Sequence, residues 1–252
     1  KGCETLFEGH PYLHEVLVWD KSKKKYSHLF QLLKIIRKKK YDYVINLQRF
    51  ASTGLLTVLS KAGNTCGFDK NPFSFFYKNK VRHIIGSGTR LHEIDRNLML
   101  AEKIITPKRQ IKLYPTPADF EKVSPYKTLP YICIAPASLW GTKRFPEIKW
   151  VEFLNSLPSD MHIMLLGSKN DEELCNNIIR RSVHNHIENL AGKLSFLQTA
   201  ALLKDACMSF TNDSAPEHLA SAVNAPVACI FCSTVPAFGF GPLSERTDVL
   251  GS

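Results

Sequence analysis

The chain has 252 residues, 44% of them hydrophobic and 22% charged, and a net charge of +10. It is long enough for two modest domains or one large one, and its composition excludes a disordered chain. No apolar run reaches the roughly 18 residues that cross a bilayer, no signal-peptide pattern opens the chain, and the basic balance favours anionic partners.

The first residues, Lys1-Gly2-Cys3-Glu4, lack an initiator Met and read as an internal fragment. Glu15–Asp20 is expected to be a short strand. From Tyr26 to Lys38, apolar residues at 26, 29, 30, 33 and 36 recur on one helical face. Basic runs at residues 21–25 and 37–40 flank that helix. Solvated helix ends are the usual explanation of such runs. Among specific partners an anionic lipid surface fits better than nucleic acid, because the basics flank one helix. Neither basics interleaved with aromatics nor a nucleic-acid fold signature is found. Residues 43–47 are expected to be a buried strand, 53–59 a helix and 65–68 a strand end. Residues 91–104 should be a helix with Leu91, Ile94, Leu98 and Ala101 on its inner face. Pro115, Pro117, Pro125 and Pro130 then crowd a stretch of little periodicity, which reads as a linker. The division expected is an N-terminal domain over 1–114, a linker over 115–128 and a C-terminal domain over 129–252.

Beyond the linker the alternation is regular. Strands are expected at 131–135, 162–166, 207–211 and 226–231. Helices should open at Pro146, near Asp171, after a Ser195 cap, and over 215–223. Such alternation means βαβ units and a parallel sheet, whose ligands bind beyond the strand C-terminal ends. The turns at Gly141–Arg144, Gly167–Asp171 and Asp213–Ser214 all lie at such ends and would line one crevice.

Seven cysteines without a disulfide framework suit free thiols in a reducing cytoplasm. Cys229 and Cys232 form a lone pair in a strand-like run, expected to be buried thiols and not a zinc site.

The most telling stretch is Thr211-Asn212-Asp213-Ser214-Ala215-Pro216-Glu217-His218. It reads as strand, turn and helix, with Asp213 or Ser214 as the cap and Pro216 in the first turn. Such a turn aims free N–H groups and the positive end of a helix dipole at one point, where a phosphate fits. An ordinary capped helix would carry the same residues. Lys143, in a turn before a helix, can neutralise a diphosphate. Asp171 and Glu172 can accept hydrogen bonds from a ribose, or can simply cap a helix. His218 can orient the loop or a phosphate, or be structural.

Five ordered stretches carry a resemblance. They are Thr142-Lys143-Arg144-Phe145-Pro146-Glu147 with Trp150, Leu165-Leu166-Gly167 with Asp171-Glu172, residues 189–195, residues 212–220, and Phe238-Gly239-Phe240-Gly241-Pro242-Leu243. Looser matches lie at 41–48, 66–68 and 91–93. Together these resemble the ADP-heptose–lipopolysaccharide heptosyltransferases, glycosyltransferase family nine. The resemblance implies an α/β GT-B fold, two Rossmann-like domains with parallel sheets facing a cleft. It implies an inverting, metal-independent transfer of heptose from ADP-heptose to a lipid A–core acceptor at the inner-membrane surface, with no cofactor. Another nucleotide-sugar on the same fold, or a non-catalytic nucleotide-binding relic, is the alternative. Carried over, Lys143 would contact the diphosphate, Asp213 and Ser214 would set the helix N-terminus against it, and Asp171 or Glu172 would hold the ribose. Thr142, Ala215 and His218 complete the expected donor site. Ala215 stands where the family usually has Gly. The resemblance puts the family's general base, an Asp following its first strand, before Lys1, and a further C-terminal segment after Ser252.

Overall fold

The computed structural model describes residues 2–22, 24–85, 91–106 and 108–251. Lys1 and Lys23, from the runs named above, lie outside the described residues. The chain forms two compact units, one of residues 2–4, 14–109 and 237–239 and one of residues 5–13, 110–236 and 240–251.

In the first unit, three parallel strands lie in sequential order, β1 (Tyr43–Asn46), β2 (Asn64–Phe68) and β3 (Asn79–Val81). Helix α1 (Lys25–Lys39) precedes them and α2 (Ala51–Leu59) joins β1 to β2. α1 buries Leu29 and Leu33, whereas Tyr26 and Phe30 of its expected inner face are exposed. β1 is less buried than expected. It sits at a sheet edge among the described strands, Tyr43 is exposed and only Asn46 is buried. The strand expected at 15–20 does not form. Val16 and Val18 remain exposed and no described strand offers this segment a ladder.

The helix expected at 91–104 is short, α3 (Glu93–Met99). His92 caps it, with Nδ1 accepting from the Ile94 N–H and the Asp95 carboxylate accepting from the His92 N–H. Its buried positions are His92, Arg96 and Leu100, a face centred on an arginine and not on Ile94 and Leu98. The Arg96 guanidinium is satisfied inside the unit. It donates to the Leu91 carbonyl at 2.6 Å, the Phe238 carbonyl at 2.9 Å and the Glu93 carboxylate at 2.7 Å. A buried charge persists only with such partners.

The proline-rich stretch is also structured. Residues 117–123 form α4 (Pro117–Val123), followed by a 3-10 turn at Ser124–Lys127. Pro117 occupies the first turn, where its missing N–H is not needed. Thr116 and Asp119 form a reciprocal capping box. Prolines here start helices instead of ending them, and Val123 is fully buried in the core of the second unit.

That unit is a six-stranded, all-parallel sheet. Its strands are β4 (Tyr131–Ala135), β5 (His162–Leu165), β6 (Ile187–Asn189), β7 (Met208–Asn212), β8 (Val227–Phe231) and β9 (Thr247–Gly251), ordered β6-β5-β4-β7-β8-β9. Between them run α5 (Glu147–Ser156), α6 (Glu172–Arg181), α7 (Phe196–Lys204) and α8 (Ala215–Ala222). Alternate residues of β4 face opposite layers. Tyr131, Cys133 and Ala135 pack with α4, α7 and α8, while Ile132 and Ile134 pack with α5 and α6. Both faces are covered, which is why these strands read as continuous apolar runs. By chain order the sheet runs 3-2-1-4-5-6, the doubly wound Rossmann order, with its switch point between β4 and β7.

All seven cysteines are free thiols. Cys229 is buried but Cys232 is exposed, so the expected buried pair is half corrected. Among the described residues, no helix is long and apolar enough to cross a membrane.

Candidate functional site

The switch point places the ends of β4 and β7 side by side. After β4 the chain runs through Ser138 into a 3-10 turn, Gly141–Lys143. After β7, Asp213 and Ser214 lead into α8. Three side chains fasten these loops together. Asn212 is fully buried; its Nδ2 donates to the Pro136 carbonyl at 2.8 Å, and its Oδ1 accepts from the Phe145 N–H at 2.9 Å. Lys143 Nζ donates to Asp213 Oδ2 at 2.6 Å, and Thr234 Oγ1 donates to the same oxygen, also at 2.6 Å. Arg144 Nε donates to the Ser138 carbonyl at 2.6 Å and so braces the turn from its other side. The Asp213 side chain is 7% exposed and that of Lys143 25%, so the pair stands at the edge of the protein with the cation outward.

Ser214 occupies the N-cap position of α8 but makes no side-chain cap; its hydroxyl donates to the Asn212 carbonyl at 3.2 Å. The Asp213 carboxylate is committed to Lys143 and Thr234. The expectation that one of these two caps the helix is therefore corrected. The first turn of α8 is left without a side-chain cap, which is the condition under which its N–H groups serve an external acceptor. Ala215 and His218 are exposed on this turn, and Thr142 is exposed on the facing one.

Glu217 projects from the same turn into the protein and is 0% exposed. Its Oε2 accepts a hydrogen bond from Cys229 Sγ at 3.2 Å, its Oε1 has no hydrogen-bond partner, and His218 Nδ1 lies 4.0 Å from Oε1. Burial raises the Glu217 carboxyl to about 8, Asp213 adds to the rise, and the Cys229 hydrogen bond and Lys143 oppose it. Burial, reinforced by Glu217, likewise pushes the Cys229 thiol up.

Asp171 and Glu172 lie at the end of the neighbouring strand β5, and their side-chain bonds stay within their own turn. Asp171 Oδ2 accepts from Ser168 N–H and Oγ, closing a capping box, and Glu172 pairs with Lys169. The capping role foreseen as an alternative is thus the one seen. Gly192 supports this turn with a positive φ of 74° and passes so close to Lys169 that a Cβ would lie 2.8 Å from its Cα.

The structure thus brings Lys143 and Asp213 together and sets Ser214, Ala215 and His218 on the turn that follows Asp213, while the side chains of Asp171 and Glu172 bond within their own turn after β5. Sequence reasoning missed three residues. Asn212 had a signal, an amide at the last position of an apolar strand. Glu217 had one too, an acid three residues before the small-residue run of α8. Thr234 had none. Among the described residues, no group of three His, Cys, Asp or Glu side chains is placed to hold a metal ion.

Comparison with known proteins adds a family. The model of glycosyltransferase family 9 (heptosyltransferase) matches residues 29–252. The chain is 25% identical over 226 residues to lipopolysaccharide heptosyltransferase 3 of Escherichia coli, covering 85% of this chain and 66% of that protein. It therefore spans just under two thirds of that relative's length. Its fold matches that of E. coli ADP-heptose lps heptosyltransferase II with a TM-score of 0.80 at 21% identity, covering 98% of this chain and 78% of that one. It also matches E. coli heptosyltransferase WaaC with ADP, with a TM-score of 0.70 at 23% identity, covering 91% and 72%. The GT-B fold expected from the sequence is the fold of these structures.

Proposed function

Because the chain belongs to glycosyltransferase family 9, we propose that it moves heptose from ADP-heptose to an inner-core sugar of lipopolysaccharide, inverting the anomeric centre. The observation that carries this reading is the Lys143–Asp213 pair at the switch point, beside the uncapped first turn of α8. An ammonium has three protons. One is given to Asp213, and two remain for the oxygens of a diphosphate. Asp213 holds the cation in place through a hydrogen bond it shares with Thr234. The first turn of α8, next to Ser214 and Ala215, supplies backbone N–H and dipole to the same phosphates. These groups stabilise the negative charge that grows on the departing ADP, and the reading needs no metal ion or cofactor. Thr142 and His218 border the diphosphate, and Asp171 or Glu172 takes the ribose. The acceptor is a lipid A–core sugar, Kdo or heptose, which places the protein in the cytoplasm at the inner-membrane surface.

The test is to incubate the full-length protein with ADP-heptose and a Kdo-bearing lipid A acceptor and to follow ADP release and acceptor mass. The reading predicts both, with EDTA without effect. Transfer from a UDP- or GDP-sugar instead would reassign the donor, and the absence of transfer from any nucleotide-sugar would refute the reading.

A further inference from the structure

The loop after β4 holds a large aromatic ring in water. Of the three tryptophans, Trp150 is buried and meets Phe145 edge-on at 5.3 Å, and Trp19 carries the Lys21 ammonium over its ring at 4.6 Å. Trp140 is 65% exposed and its neighbour Leu139 87%, directly after the buried Ala137 and Ser138. A single exposed apolar residue needs no explanation. The setting of this one does, because it stands on the same turn as Lys143.

That turn is braced. Lys143 N–H donates to the Trp140 carbonyl at 3.0 Å and Arg144 N–H to the Gly141 carbonyl at 3.1 Å, which closes the 3-10 turn on Trp140. Arg144 Nε reaches back to the Ser138 carbonyl at 2.6 Å, and the buried Asn212 holds the Phe145 N–H at 2.9 Å. Segment 138–145 is thus tied at both ends, and the backbone that carries the ring is fixed by the protein itself. A ligand that covers such a ring pays little ordering entropy, since an aromatic side chain has two rotatable bonds on a fixed backbone. In a 3-10 turn, positions three apart share one side. Position 140 therefore stands on the side of Lys143, the cation assigned to the diphosphate.

The sugar of a nucleotide-sugar is bonded directly to its diphosphate, whereas the base is held off by the ribose. A ring beside Lys143 is therefore within reach of the sugar. A pyranose carries hydroxyls on its rim and C–H groups on its faces, and the face of an aromatic ring is the negative pole that attracts such C–H groups. We propose that Trp140 is the platform for the donor sugar, its indole stacked on a C–H face of the pyranose while Lys143 holds the phosphate to which that sugar is bonded. Lys143 and the first turn of α8 meet only phosphate, and by themselves would take ADP as readily as its sugar ester. Trp140 supplies the contact that distinguishes the two. The proposal rests on the donor reading given above and adds to it the residue that recognises the sugar.

Calorimetric titration of the full-length parent, Trp140→Phe and Trp140→Ala with ADP and with ADP-heptose tests it. Trp140→Ala should weaken ADP-heptose binding about tenfold, the size of one ring stacked on an aromatic, and leave ADP affinity within about twofold. Trp140→Phe keeps a smaller ring and should lose less. The retained ADP affinity certifies the fold of both variants. Tryptophan emission gives a second readout. ADP-heptose should perturb the parent's emission more than ADP does, and that difference should vanish in Trp140→Phe. Unchanged ADP-heptose affinity in Trp140→Ala overturns the proposal, and so does a rise confined to the acceptor KM, which would set the ring against the acceptor. A parallel loss of ADP and ADP-heptose affinity also overturns it, since the ring would then stack on the adenine. These three results leave the donor reading standing. A parent that binds neither ligand overturns the donor reading, and this proposal with it.

Discussion

Lys143 Nζ lies 2.6 Å from Asp213 Oδ2, joining two loops 70 residues apart in the chain. The pair closes the switch point of the sheet. It also changes what a substitution there should do, because each partner neutralises the other in a partly buried setting.

Lys143→Ala should lower kcat/KM by about 10²–10³, the size of losing one preorganised donor to a developing anion. It should also lower the melting temperature, since Asp213 is left buried with Thr234 as its remaining partner. Adding Asp213→Ala should recover stability without recovering turnover. Thermal melts and steady-state kinetics on the three variants separate the two effects. Full activity in Lys143→Ala would remove the residue from the mechanism.

Ser214→Ala is expected to change stability by less than about 0.5 kcal/mol, below the 0.5–2 kcal/mol of a true N-cap loss, because the Ser214 hydroxyl caps nothing. Urea denaturation measures this. A loss of a full cap's size would mean that the hydroxyl bonds to the first turn of α8 in solution.

Glu217 predicts a pH dependence. Burial lifts its carboxyl from the ordinary 4.5 to about 8 on folding. Between those values the folded chain keeps a proton that the unfolded chain has released. The stability tied to this proton is fully present below about pH 4.5 and is lost as pH rises toward 8. Melting temperature should therefore decline across that window in the parent, and Glu217→Gln should flatten this part of the decline. Parallel profiles for the two proteins would contradict the assignment.

In the first unit, Arg96→Ala should cost on the order of 3 kcal/mol, because it strips partners from Glu93 and from two backbone carbonyls at a buried site. Gly239→Ala should also destabilise. Gly239 has φ of 100°, and a Cβ there would crowd the Arg96 guanidinium and lie 2.6 Å from the Leu91 carbonyl. Urea denaturation followed by tryptophan fluorescence reads both; changes below about 0.5 kcal/mol would place them among neutral surface substitutions.

The second unit was largely legible in the sequence. Its strands are buried on both faces and read as plain apolar runs, and caps such as Ser195, which accepts from Gln198 N–H, stand at the expected ends. β6 and β9 escaped notice because one has three residues and the other is exposed throughout. The first half was harder. The buried face of α3 is centred on Arg96, whose burial depends on carbonyls supplied by residues 91 and 238, and no local hydrophobic pattern records that. The prolines at 117 and 125 read as breakers although each begins a helical turn. In the site, Lys143 and Asp213 stood out as polar residues at strand ends. Their pairing did not, because only the sheet order brings them together.

The most direct test is calorimetric titration of the parent and of Lys143→Ala with ADP and with AMP, which differ by the phosphate assigned to this pair and to the first turn of α8. The account predicts that the parent binds ADP more tightly than AMP and that this preference is largely lost in Lys143→Ala. Equal affinities in the parent, or a preference that survives the substitution, would contradict it.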